Sequence, residues 1–150
     1  MRRLHLAVGL IALAAFLASG FYMRLGPDHV PALDDATRLR FRSSHIYLLF
    51  AAMLNVVLGL YVEPGPRGWR RSLRRAGSLL LLIAPVLLGI AFLREPWLTG
   101  LARPYAQPAV IGCFAGVLCH LASRTRSGDR PAPSHRTVVP SAGDTESDTD

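Results

Sequence analysis

The apolar residues of this chain come in four long blocks, and that arrangement constrains its fold more than any other feature. Residues 4–23, 45–62, 76–93 and 105–122 contain no Asp, Glu, Lys or Arg, and short polar stretches separate them. A helix crosses the hydrocarbon core of a bilayer with about 20 apolar residues, roughly 17 to 25 being tolerated. A soluble core would instead spread its apolar residues periodically along the chain. With 51% hydrophobic residues in 150 and a mean hydropathy of +0.30, the pattern predicts an all-α integral membrane protein. Residues 1–122 are read as one domain, a bundle of four transmembrane helices. Gln107 and Pro108 make the start of span four the most polar.

The polar stretches predict orientation. All 17 basic residues are Arg, a bias that fits a high-GC genome, and they crowd the flanks of the spans. Arg2 and Arg3 precede span one, and Arg67, Arg70, Arg71, Arg74 and Arg75 stand between spans two and three. Arg124, Arg126, Arg130 and Arg136 follow span four. Arg enrichment in short flanks marks the cytoplasmic side and attracts anionic lipid, so both ends are expected inside. The five Arg of the second loop are expected on anionic headgroups. Nucleic acid is not expected as a partner despite the net charge of +7. The apolar run at the N-terminus continues to Met23, longer than most signal-peptide cores, so it reads as a retained helix. Residues 123–150 have too little apolar content to fold and read as a disordered cytoplasmic tail.

Between spans one and two, Pro31 can open a short helix over "ALDDATRLRF", with Asp34 four residues before Arg38. Phe41 and Leu39 would let that helix lie in the interface, and Ser43 or Ser44 can cap span two. Trp69, among arginines, reads as an interfacial anchor.

Within the spans, small and polar residues share stripes. At 100° per residue, His45, Leu48, Ala52, Asn55 and Gly59 fall within about 80° of one another. His5, Gly9, Ala12, Phe16, Ser19 and Met23 form the stripe of span one. Gly77, Leu81, Ala84, Leu88 and Glu95 form that of span three, and Pro108, Gly112, Gly116 and Cys119 that of span four. Small residues at this spacing let backbones approach, and Gly112 with Gly116 forms a G-x-x-x-G motif. Asn55 is expected to join helices, because a polar group deep in a membrane finds partners across the interface. Pro85 should kink span three. Cys113 and Cys119 are separated by about 9 Å of helical rise, so they read as unpaired apolar fillers.

The histidines carry the remaining chemistry. His45, at the outer end of span two, is expected neutral and hydrogen-bonded, with Glu95 as its partner. Arg42, His45, Asn55, Glu95 and Arg103 form the candidate functional cluster. His5 and His120 fall at the inner ends of spans one and four and could ligate a b-type haem. No H-E-x-x-H, G-x-S-x-G, Walker or C-x-x-C pattern is present. Glu63 and Glu95 lie at opposite faces, which leaves no acid/base pair.

The segments "FRSSHIYLLFAAMLNVVLGLY", "GSLLLLIAPVLLGIAFLREP" and "GVLCHLA" carry a resemblance. They are similar to small four-helix inner-membrane proteins of proteobacteria, over about residues 5–122, through Arg-x-x-His-Ile-Tyr with a later Asn and Leu-Gly-Leu-Tyr. That family has no assigned activity, so the resemblance implies a fold and a bacterial inner-membrane location but no reaction. The expectation is a non-enzymatic accessory or assembly protein without cofactor, packing as a homo-oligomer or on a membrane-protein partner. A haem- or quinone-linked redox protein using His5 and His120, and a small oligomeric transporter using His45 and Asn55, are the alternatives.

Overall fold

The computed structural model describes residues 1–25, 33–61, 68–100 and 102–124. Helix α1 covers Arg2–Leu25, α2 Asp35–Tyr61, α3 Trp69–Arg94 and α4 Ala106–Arg124, and a 3-10 turn at Glu95–Trp97 follows α3. Each of the four helices is long and apolar enough to cross a membrane. α1 packs chiefly on α2 and α3 on α4, and the two hairpins meet through α2 and α3.

α1, α2 and α3 begin earlier than their apolar blocks do. α2 starts at Asp35 and runs unbroken to Tyr61, so the short interfacial helix expected before it is the first part of span two itself. Asp34, not Ser43 or Ser44, caps it: Thr37 donates its backbone N–H to Asp34 Oδ2 at 3.2 Å. Arg38 pairs with Asp35 rather than with Asp34. Phe41 is buried against Phe92, with ring centroids 5.2 Å apart, and is not an interfacial residue. Tyr22 and Trp97 complete this aromatic end. α3 starts at Trp69, which places Arg70, Arg71, Arg74 and Arg75 on its first two turns. Trp69 is exposed there, with the Arg70 guanidinium 6.0 Å from its ring centroid. Pro31, Glu63, Arg67 and residues 125–150 lie outside the described residues, whereas Ser123 and Arg124, read as tail, still belong to α4.

Packing is inside-out relative to a soluble bundle. The core is thin and rich in alanine, with Ala51, Ala52, Ala84 and Ala91 buried, while Ile11, Ile46, Phe114 and Leu118 are exposed. A bilayer is as apolar as leucine, so bulky side chains gain little by facing inward and close backbone contact takes over. A Cβ on Gly9 would lie 2.7 Å from Val56 N, and one on Gly59 2.7 Å from Leu6 Cα. Gly77 and Gly116 meet reciprocally: a Cβ on either would come within 2.9 Å of the other's carbonyl oxygen. The stripes of spans one to three are the buried faces. In α4 the buried face is Ala106, Ala109, Cys113 and Gly116 instead, with Pro108 exposed. Gly112 is half-buried, and a Cβ there would meet only Leu80, at 4.0 Å. The glycine pair therefore does not act as one motif; Gly116 crosses α3 at Gly77, and Gly112 stands beside that crossing. Both cysteines are free, as expected, and Cys113 is in the core.

Candidate functional site

Two polar clusters divide the candidate residues. The first closes the end of the bundle where α3 turns into α4. Glu95 follows the last residue of α3, and its carboxylate is completely buried. Its Oε1 accepts the backbone N–H groups of Tyr105 at 2.8 Å and Ala106 at 2.7 Å, the otherwise unpaired donors where α4 begins. An anion at that position also meets the positive end of the helix dipole. Its Oε2 accepts from Arg103 Nε at 3.0 Å. The other two Arg103 nitrogens donate to Ser43 Oγ and Ser44 Oγ of α2, each at 2.8 Å, and the guanidinium sits 5.8 Å from the Tyr47 ring centroid. Arg40 adds bonds to the carbonyls of Glu95, Leu98 and Gly100. The cluster is a clamp on the α3–α4 connection, with both carboxylate oxygens committed to the chain itself.

This clamp contains Glu95 and Arg103 of the expected cluster and excludes the rest. Arg42 is exposed on the outer side of α2. His45 does not reach Glu95. Successive helical residues differ by about 100° in direction, so Ser44 faces Arg103 while His45 faces α1. There Ser19 Oγ donates to the Phe16 carbonyl and contacts His45 Nδ1, both at 2.8 Å. The single hydroxyl hydrogen being used, His45 carries its proton on Nδ1 and donates it. Its ring stacks on Phe16 with centroids 4.1 Å apart. Arg40, expected on a short interfacial helix, and Ser43 and Ser44, expected as caps of span two, were not expected in this cluster, because neither placement shows which face of α2 meets the bundle.

The second cluster lies deeper, around Asn55. Its Nδ2 donates to the Leu81 carbonyl of α3 at 2.7 Å and to the Ala51 carbonyl at 2.9 Å. Leu81 is four residues before Pro85, so its carbonyl is the one for which a proline in the helix supplies no N–H. Asn55 replaces that missing donor from the neighbouring helix, and α3 runs through Pro85 without interruption. With both amide hydrogens on carbonyls, Asn55 Oδ1 is an acceptor, and His5 Nδ1–H donates to it at 2.7 Å. Asn55 therefore joins α1, α2 and α3, and its partner is His5, not His45. The signal was present in the sequence as the four-residue offset from Pro85 to Leu81, but nothing in it named Asn55 as the donor.

His5 and His120 are brought together, with ring centroids 6.4 Å apart at 76°. His120 Nε2 lies 3.2 Å from Ser78 Oγ. His5 is fully buried, and its Nε2 has no hydrogen-bond partner. A Cβ on Gly77 would come within 3.2 Å of the His120 ring, so α3 and α4 are in close contact beside this pair. A porphyrin at His120 would require that contact to open. Among the described residues no group of three or more His, Cys, Asp or Glu is placed to hold a metal.

Compared with family models, curated proteins and solved structures, the chain matches none.

Proposed function

We propose that the chain is a non-enzymatic, multi-pass protein of the bacterial inner membrane that acts as an accessory or assembly component. The observation that carries this reading is the complete occupation of Asn55 and Glu95 by the chain's own groups. A transport pathway or catalytic site would keep such side chains facing a cavity. Here they repair a proline-broken helix and close a helix connection. Arg2, Arg3, Arg70, Arg71, Arg74, Arg75 and Arg124 flank the start of α1, the start of α3 and the end of α4. That grouping supports a cytoplasmic placement of this end, on anionic headgroups. Gly116 is used inside the bundle, so association with a second copy or another membrane protein falls to the bulky outer surface instead.

Extraction of the native membrane into polymer-bounded lipid discs tests this. The chain is expected to migrate with a second membrane protein or a second copy in fixed ratio. Discs that hold single copies alone, while unrelated complexes stay intact, would contradict the reading.

A further inference from the structure

Among the described residues one buried side-chain polar atom is left without a hydrogen-bond partner: His5 Nε2. Asn55 fixes the His5 proton on Nδ1, because both of its amide hydrogens are held by carbonyls. The neutral ring therefore points a basic lone pair into a fully buried position where nothing donates to it. A buried acceptor without a donor is costly and calls for an explanation. A histidine whose far nitrogen donates to a carbonyl oxygen while the near one presents a lone pair is the arrangement of a metal ligand and its supporting shell. A second imidazole, His120, lies beside it. Its contact to Ser78, at 3.2 Å, is at the long end of the hydrogen-bond range and is readily given up.

We propose that His5 and His120 bind a single monovalent copper ion. Imidazole nitrogens suit copper and zinc, and the surroundings decide between them. Zinc takes at least three protein ligands, and no third donor joins this pair among the described residues. Copper(I) accepts two nitrogens in a line. Among the described residues the site contains no carboxylate, and Arg2 reaches the Gly59 carbonyl at the same end of the bundle. The cost of burying an ion in a low-dielectric interior grows with the square of its charge, so a monovalent ion is favoured where no anion offsets it. The inference goes beyond the accessory role and does not depend on it.

The test is anaerobic titration of the full chain in detergent with Cu(I) against a colorimetric Cu(I) chelator. One equivalent per chain is expected to be withdrawn from the chelator. His5→Ala and His120→Ala should each lower the affinity at least tenfold. Because a variant can fail to fold, the wild-type copper complex is also read by X-ray absorption, where two nitrogen scatterers and no sulfur are expected. Failure of the wild type to compete, undiminished binding in both variants, or a sulfur-dominated spectrum would each overturn the proposal.

Discussion

If Asn55 replaces the donor that Pro85 lacks, the two residues are energetically coupled, and a double-mutant cycle measures the coupling. Asn55→Leu removes the Nδ2 bond to the Leu81 carbonyl and the acceptor for His5 Nδ1–H. An unsatisfied buried group costs about 1–3 kcal/mol. Polar pairs in membranes measure lower, about 0.6 kcal/mol on average and about 1.7 at most. With two groups left unpaired, Asn55→Leu should cost about 2 kcal/mol. Pro85→Ala returns a backbone N–H at the position from which Leu81 is normally satisfied, so in that background only the His5 bond is lost. The coupling is therefore expected at about 1 kcal/mol, with Asn55→Leu less harmful beside Ala at 85. Packing losses from removing the Pro85 ring cancel in the cycle. Unfolding in mixed micelles, followed by the fluorescence of Trp69 and Trp97, gives the four stabilities. Additivity within about 0.3–0.5 kcal/mol would mean that the two sites are independent and that Asn55 does not replace the missing donor.

Three further outcomes follow from the geometry. Arg103→Met strands a fully buried Glu95 with only the Tyr105 and Ala106 amides. Removing one partner of a buried pair costs about 3–5 kcal/mol, and the 23% exposure of Arg103 reduces this to about 2–3 in the same unfolding assay. Gly116→Ala forces α4 away from Gly77 and should destabilise by about 1–3 kcal/mol, whereas Gly112→Ala should change stability by less than about 0.5; equal effects would mean the crossing point is misplaced. At the start of α2, the bonds from Thr37 hold the Asp34 carboxyl below its ordinary value of 3.8. The cap is therefore present above that value and lost as the pH falls through the lower, folded-state value. Protection of the Thr37 amide, the intrinsic exchange rate at the same pH divided by the measured one, should fall on acidification and stay constant from pH 5 upward.

The spans and their inward faces were legible because a membrane makes both signals strong: length without charge, and small residues repeating along one side. Gly9, Gly59, Gly77 and Gly116 were readable for that reason. The beginnings of α2 and α3 were hidden, since Arg38, Arg40, Arg42, Arg70 and Arg71 mark a polar flank whether that flank is helical or not. The expected pairing of His45 with Glu95 failed for a related reason. Depth along the bundle can be counted from sequence, but which helix a side chain faces depends on how the hairpins are arranged, and that placed Ser44 opposite Arg103 and His45 opposite Ser19. In α4 a shift of one residue moved the buried face from Pro108 and Gly112 to Ala109 and Cys113. Asn55 was recognised as a helix-joining residue, although its particular task, repair of α3 at Pro85, depends on which face of α2 meets Leu81.

Polar groups of the interior hold the helices together, with Asn55 at their centre. A nitrogen-15 spectrum of histidine-labelled, metal-free protein in lipid bilayers, with His5 assigned by substitution, reads that arrangement most directly. A neutral His5, protonated on Nδ1 and in contact with the Asn55 side chain, is expected. A His5 protonated on Nε2, or carrying both protons, would contradict that arrangement.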